Sequence, residues 1–173
     1  MAIDFQPQAA RTNDGAEFTI RMIRRDDFSL ESAFIRSLSE TSRYFRLMYT
    51  LKEPPASFVR RLVNVDGIQT MALAGVMEID GTLHFIGVVR YGRNPDGKTA
   101  EFAIAVADEW QRRGVATQLM TALAAYAKRN RIERFEGQVL AANERMLDLC
   151  RWLKFELRPS TEGGHLVVAS RKL

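Results

Sequence analysis

The stretch Glu101-Phe-Ala-Ile-Ala-Val-Ala-Asp-Glu-Trp-Gln-Arg-Arg-Gly-Val-Ala116 joins an apolar strand pattern to a short basic loop that contains a glycine. A helical pattern follows the loop, with Val115, Leu119, Leu123 and Tyr126 on one face. Backbone N–H groups in the first turn of a helix have no partner within the helix and lie at the positive end of its dipole. The stretch therefore predicts a strand–loop–helix unit that binds a phosphate-bearing ligand.

The residue types in the loop fit this interpretation. Gly114 lets the backbone approach a ligand closely, and Arg112 and Arg113 can donate charge-assisted hydrogen bonds to phosphate oxygens. Taken alone, however, such a loop is explained equally well as a surface turn with solvated arginines.

Strand and helix patterns alternate along the rest of the chain. Phe18–Arg24 alternates apolar and polar residues, which is typical of a strand. Thr70–Ile79 and Thr82–Tyr91 predict a hairpin around Asp80-Gly81. This interleaving predicts an α/β or α+β fold with a mixed sheet. Further strands are predicted at 99–106, 135–140, 155–157 and 166–170, and further helices after Asp26-Asp27, around Phe58 and from Asn143.

The bulk composition is that of an ordinary globular protein. The 173 residues suit one domain, which we place at 18–173 after a polar, loosely ordered lead-in at 1–17. Neither a membrane span nor a signal peptide is visible. The single cysteine, Cys150, cannot form an intrachain disulfide, which favours a cytoplasmic setting. The net charge is +4, but the basic residues are scattered, which disfavours nucleic acid as a partner.

The spacing Gln111-x-x-Gly114-x-Ala116 between a strand and a long helix resembles motif A of the GNAT superfamily of N-acetyltransferases. The resemblance extends from about Phe18 to Leu173. Two segments, Leu38-Ser-Glu-Thr-Ser-Arg-Tyr-Phe-Arg46 and Ala100-Glu-Phe-Ala103, are similar to the acetyltransferase domain of bacterial protein lysine acetyltransferases. The resemblance implies the GNAT acyl-CoA N-acyltransferase fold, a mixed, mostly antiparallel central sheet flanked by helices.

The same resemblance implies acetyl-CoA (coenzyme A) as cosubstrate and assigns residues to it. Ile104 and Val106 would pair with the pantetheine arm through their backbone, and Asn143 would contact the cofactor near the thiol. The pyrophosphate loop would comprise Gln111, Arg112, Arg113, Gly114, Val115, Ala116 and Thr117.

Acetyl transfer to an amine requires the neutral amine. A lysine with a pKa of about 10.4 is neutral in roughly four parts in ten thousand at pH 7, so a general base is expected. Glu101 is our candidate, because it lies where the lysine-acetylating relatives place their base. The alternative is a solvated strand-edge glutamate. The N–H of Val106 is expected to meet the developing oxyanion.

The chain departs from the family pattern at two positions. Many GNAT enzymes have a tyrosine as general acid seven residues after the asparagine, and here that residue is Cys150. Cys150 could donate a proton, but filling the core is the favoured interpretation. The closing glycine-phenylalanine of the family is Lys154-Phe155, which leaves the geometry of that turn open.

Other residues give weaker indications. His84 and His165 have no companions at ligand spacing, so no metal site is predicted. The segment Arg43–Arg46 either lines an acceptor groove or packs its aromatic residues in the core and leaves its arginines in solvent.

The sequence thus predicts an enzyme that transfers an acetyl group from acetyl-CoA directly to a primary amine, with a protein lysine as the preferred acceptor. A small amine (a polyamine, an antibiotic or an amino acid) is an alternative acceptor. A non-catalytic acyl-CoA-binding module is a further alternative, motivated by the missing tyrosine, and a homodimer is an open expectation.

Overall fold

The computed structural model describes residues 4–50 and 52–173, in which strands and helices alternate along the chain. The strands are β1 (Gln8–Arg11), β2 (Glu17–Met22), β3 (Thr70–Ile79), β4 (Thr82–Arg93), β5 (Thr99–Val106), β6 (Arg134–Leu140), β7 (Glu156–Pro159) and β8 (Leu166–Lys172). The helices are α1 (Phe28–Ser37), α2 (Glu40–Leu47), α3 (Ala56–Val63), α4 (Val115–Arg129) and α5 (Glu144–Trp152).

These strands form one eight-stranded sheet in the order β1-β2-β3-β4-β5-β6-β8-β7. All neighbouring pairs are antiparallel except β5 and β6, which run parallel. The predicted mixed, mostly antiparallel sheet flanked by helices is therefore confirmed.

Helices cover both faces of the sheet, and the central strands are buried for that reason. Along β4, Val89 packs into the core that α4 covers, together with Leu119 and Leu123. Its neighbour Val88 faces the opposite core, which contains Val59 of α3. Because successive side chains of a strand point to opposite faces, a helix on each face requires apolar residues at consecutive positions.

The predicted loosely ordered lead-in differs from the structure. Residues 1–3 of that segment lie outside the described residues, but Gln8–Arg11 forms β1, which pairs with β2. Phe5 is buried and packs edge-on against Tyr126, with ring centroids 6.0 Å apart. β1 is an edge strand whose side chains are mostly exposed, which explains the polar composition of this segment. The composition therefore did not indicate a strand.

The substituted turn before β7 keeps the geometry that a glycine would provide. Lys154 has a φ of 64°, in the left-handed region. Phe155 is buried and its ring lies 4.9 Å from that of Phe102. The packing of the phenylalanine thus holds the lysine in a conformation that costs an L-residue about 1 kcal/mol.

The parallel strands β5 and β6 separate after a short paired stretch. Their pairing covers three residues of each strand and ends at Glu101 and Glu136. Beyond that point β5 remains paired with β4 as far as Val106, and β6 remains paired with β8 as far as Leu140. The divergence opens a wedge in the middle of the sheet.

Candidate functional site

A cavity of about 940 Å³ occupies the wedge between β5 and β6. Its volume is in the range of small-molecule and cofactor sites. The two sides of the cavity come from different parts of the chain. After the roles that the sequence leads us to expect, we call the segment Ile104–Thr117 the cofactor wall and α2 the acceptor wall.

The loop of the cofactor wall has a conformation that requires glycine. Gly114 has a φ of 82°, and a Cβ atom there would lie 2.6 Å from Oδ1 of Asn13. Asn13 also donates its backbone N–H to the carbonyl of Arg113 at 2.9 Å. The loop is therefore held against the β1–β2 connection, and α4 begins directly after Gly114.

Most of the predicted loop residues line the cavity, but two do not. Arg113 instead pairs with Asp14 at 3.2 Å, and its guanidinium lies 4.9 Å from the ring centroid of Trp110. Val115 is only 1% exposed and belongs to the core. The predicted loop residues that line the cavity are Gln111, Arg112, Gly114, Ala116 and Thr117.

The backbone of β5 offers polar groups to the wedge. Hydrogen bonds alternate in direction along an antiparallel strand, and the N–H of Ala107 points toward β4, where it donates to the carbonyl of Ile86. The N–H and C=O groups of Ile104 and Val106 consequently point away from β4 and into the wedge. An extended ligand could pair with them as a further strand would.

Gln111 connects the two walls. Its amide nitrogen donates to the carbonyl of Val106 at 3.1 Å and to the hydroxyl of Ser42 at 3.3 Å. Its amide oxygen accepts a hydrogen bond from Arg145 of α5 at 2.8 Å. The first residue of the predicted motif thus touches β5, α2 and α5 within one cavity.

Glu101 lies at the point where β5 and β6 diverge. It lines the cavity and its side chain is exposed. Its partner across the parallel pair is Glu136, which lies 3.7 Å from Arg158 and is not among the lining residues. Glu101 is thus the carboxylate of this pair that faces the cavity.

The predicted cofactor contact Asn143 also lines the cavity, and it caps α5 by accepting the N–H of Met146 at 3.2 Å. Cys150 is only 1% exposed and is not among the lining residues. Burial raises the pKa of its thiol to about 12. These observations favour the core-filling interpretation of Cys150 over a proton donor.

The acceptor wall is held mainly by polar contacts. Asp108 accepts hydrogen bonds from the N–H and the hydroxyl of Ser39 at 2.9 and 2.8 Å, and from the hydroxyl of Ser42 at 2.7 Å. Partial burial raises the pKa of Asp108, but these donors outweigh it and bring the pKa below the ordinary value of 3.8. The carboxylate therefore stays ionised at neutral pH and fixes the N-terminus of α2.

For Arg43–Arg46 the structure favours the acceptor-groove interpretation over core packing, although only part of the segment lines the cavity. Phe45 and Arg46 line the cavity, as an acceptor groove requires. Arg43 instead donates to the carbonyls of Leu38 and Lys52 at 2.9 and 2.7 Å. Tyr44 is exposed rather than packed in the core.

Sequence reasoning missed Asp108, Arg145 and Gln138, all of which line the cavity. Arg145 follows Asn143 by two positions, and Gln138 is a polar residue within an otherwise apolar end of β6, so both left a weak signal. Asp108 left none, because its partners are about seventy residues away.

In the part of the chain that the structure describes, no three histidine, cysteine, aspartate or glutamate side chains are grouped as a metal site would require. In 4–50 and 52–173, no helix has the length and apolarity to cross a bilayer.

Comparisons with known proteins agree with this geometry. The sequence model of the Acetyltransferase (GNAT) family matches residues 35–155. Acetyltransferase PA5475 of Pseudomonas aeruginosa is 34% identical over 143 residues, which are 83% of this chain and 77% of that protein. The crystal structure of the GNAT domain of S. lividans PAT matches with a TM-score of 0.88 at 30% identity, over 96% of this chain and 97% of that chain.

A more distant structure shares only the fold. The cAMP-binding acyltransferase from Mycobacterium smegmatis matches with a TM-score of 0.66 at 21% identity, over 96% of this chain and 47% of that one. The predicted family resemblance is confirmed by the family match and by the two nearer relatives. Enzymes of this family use acetyl-CoA as cosubstrate. The chain belongs to the GNAT acetyltransferase family and is an acyltransferase.

Proposed function

We propose that the protein transfers an acetyl group from acetyl-CoA directly to a primary amine, with the ε-amine of a protein lysine as the preferred acceptor. One observation carries this proposal: the strand β5 brings a carboxylate and outward-pointing backbone N–H and C=O groups into the same cavity. Glu101 lies at one end of this segment and Val106 at the other.

The cofactor would dock on the cofactor wall. Its pyrophosphate would accept hydrogen bonds from the N–H groups at the start of α4, where the helix dipole favours an anion. Arg112 is exposed and lines the cavity, whereas Arg113 is paired with Asp14. Of these two arginines, Arg112 is therefore the one placed to bind the pyrophosphate. The bound thioester supplies the acyl group, and Asn143 would contact the cofactor near its thiol.

The acceptor amine would lie next to Glu101, which removes its proton and passes it to solvent through its exposed side chain. A strand rises about 3.3 Å per residue, so Val106 lies about 16 Å along β5 from Glu101. Ile104 is about 10 Å away by the same measure. We therefore assign the oxyanion contact to the N–H of Ile104 and pairing with the pantetheine arm to Val106, in place of the assignment made from sequence.

A protein acceptor is favoured by the rim of the cavity. Met48 lines the cavity and is 39% exposed, and the nearby Tyr44 and Tyr49 are 43% and 49% exposed. Exposed aromatic and methionine side chains around a site are typical of surfaces that bind other proteins. A cytoplasmic setting would supply both acetyl-CoA and protein lysines.

The test is a comparison of two neighbouring carboxylates. We expect Glu101→Gln to lower kcat at pH 7 by about 100-fold or more and to recover at high pH, where the amine loses its proton unaided. Coenzyme A affinity measured by calorimetry should be unchanged. Glu136→Gln is the matched control, because Glu136 lies opposite on β6 and outside the cavity lining.

Thiol release from acetyl-CoA with a panel of lysine peptides, polyamines and amino acids measures both the activity and the acceptor class. If no amine stimulates release by the wild-type protein, the proposed function is wrong. If Glu101→Gln retains full activity at pH 7, Glu101 is not the base.

A further inference from the structure

Arg46 has an unusual position between two cavities. It lines the main cavity on the acceptor wall, and it also lines a small buried cavity of about 20 Å³ behind that wall. The side chain is partly buried, and its guanidinium makes no hydrogen bond to the described residues. The guanidinium therefore has N–H donors that are available to a ligand in the main cavity.

The charges behind Arg46 are already balanced. Glu31 is 2% exposed and pairs with Arg90 at 2.7 Å, so the two charges cancel. Arg90 also donates to the carbonyl of Leu62 at 2.9 Å. The second carboxylate oxygen of Glu31 is buried without a hydrogen bond among the described residues. Arg46 is thus a second cation near Glu31, and unlike Arg90 it also lines the main cavity.

Arg46 remains a cation under working conditions. Burial lowers the pKa of its guanidinium to about 10, and the charge of Arg90 acts in the same direction, whereas Glu31 and Glu101 oppose it. At neutral pH the group is thus still protonated. Arg46 and Glu101 line the same cavity, so the guanidinium and the proposed general base face one common space.

We infer that Arg46 binds an oxygen of the acceptor next to the reacting amine, and so selects acceptors that carry a carbonyl or a carboxylate. This inference rests on the proposed function and adds the chemical class of the acceptor. A simple alkylamine or a polyamine has no such oxygen and brings only positive charge to Arg46. A lysine residue in a peptide brings main-chain carbonyls, and a free amino acid brings a carboxylate.

Three acceptors of equal chain length separate these possibilities. Nα-acetyl-L-lysine N-methylamide has two amide carbonyls, Nα-acetyl-L-lysine has a carboxylate in place of the C-terminal amide, and n-pentylamine has the same amine arm without oxygen. We would measure kcat/KM for each with wild type, Arg46→Met and Arg46→Lys. Arg36→Met is the matched control, because Arg36 is a 53% exposed arginine that lies 3.7 Å from Glu53 and outside both cavities.

We expect Arg46→Met to lower kcat/KM for the lysine derivatives by about tenfold to a hundredfold, the range for hydrogen bonds to a charged group. For n-pentylamine the change should stay within about threefold, and Arg46→Lys should recover part of the loss. A loss confined to Nα-acetyl-L-lysine would identify the carboxylate as the bound oxygen. Where n-pentylamine turns over too slowly, its inhibition constant against the methylamide gives the same comparison.

Equal losses for all three acceptors, or no loss for any, would overturn the inference. Thermal unfolding and coenzyme A binding of each variant show whether a loss of activity comes from misfolding. If Arg46→Met is misfolded, the three acceptors are compared with Arg46→Lys instead. If the wild-type protein acetylates none of the amines, the proposed function is wrong and the inference fails with it. Turnover by wild type with no acceptor-dependent effect of Arg46 contradicts the inference alone.

Discussion

The two walls of the cavity are stabilised in different ways. The cofactor wall is one contiguous segment that runs from a buried strand through Gly114 into α4, whose apolar face is part of the core. The acceptor wall, α2, has no buried residue, and Asp108 holds its N-terminus. Because Asp108 belongs to the cofactor wall, one wall positions the other. The proposed cofactor site therefore depends on local chain geometry and packing, and the proposed acceptor site depends on polar contacts between distant segments.

The largest expected effect is on the free energy of unfolding. It compares the loss of a buried ion pair beneath the acceptor wall with the loss of an exposed ion pair beside the cofactor wall. Arg90→Leu leaves Glu31 buried without the cation that is hydrogen-bonded to it, and burial already raises the pKa of Glu31. We expect the free energy of unfolding to fall by about 3–5 kcal/mol. Arg113→Leu removes a pair in which both side chains are more than 40% exposed, and should cost less than about 1 kcal/mol. Urea denaturation measures both, and equal losses would contradict this contrast.

A second prediction tests the cofactor wall alone. Gly114→Val forces a side chain onto a φ of 82° and against Asn13, so the loop must change shape. We expect coenzyme A to bind about tenfold to a hundredfold more weakly by calorimetry, which corresponds to strain of 1–3 kcal/mol. Gly97→Val is the control, because Gly97 also has a positive φ of 70° but has open space around it and lies outside the cavity lining. Similar affinities for both variants would show that the loop is not the cofactor site.

A third, smaller effect tests how the walls are joined. Asp108→Ala removes three hydrogen bonds to Ser39 and Ser42 and should loosen α2. We expect the KM of the acceptor to rise about three- to tenfold, since each such bond contributes about 1 kcal/mol or less at an exposed site. Coenzyme A affinity should change by less than about twofold on the same grounds. Glu109→Ala is the control, because Glu109 is the adjacent exposed carboxylate and does not line the cavity.

The same contact has a defined pH dependence. Because the pKa of Asp108 in the folded protein is lowered below 3.8, its contribution is complete above that value and is lost as the pH falls through the lowered pKa. Acceptor KM measured down to pH 5 should therefore show no titration from this group. A rise in KM between pH 7 and pH 5 that disappears in Asp108→Ala would contradict the assignment.

The smallest expected effect concerns Cys150. Since burial raises the pKa of its thiol to about 12, the thiol is protonated and inaccessible at neutral pH. A disulfide reagent such as DTNB should leave the native protein unmodified at pH 8, and Cys150→Ala should keep kcat within about twofold. A larger loss of kcat with unchanged coenzyme A affinity would restore Cys150 as a proton donor.

Sequence patterns were sufficient where a feature is local. The Asp80-Gly81 hairpin, the glycine before α4 and the apolar face of α4 each follow from residues within one turn or one helix. The strand β1 was missed, because its stability comes from pairing with β2 and from the contact of Phe5 with Tyr126. The helix α2 was not predicted either, since it buries no residue and its composition is mostly polar.

The sequence by itself determined the family, the mixed sheet and the glycine loop before α4, because spacing and periodicity encode contacts between residues that are close along the chain. The tertiary structure decided which carboxylate faces the cavity, that Arg113 is paired with Asp14 whereas Arg112 is not, and that Arg46 and Glu101 line one cavity. It also brought Asp108 into contact with Ser39 at the start of α2, about seventy residues away in the sequence. Such contacts depend on where strands diverge and helices cross, and no local pattern records those distances.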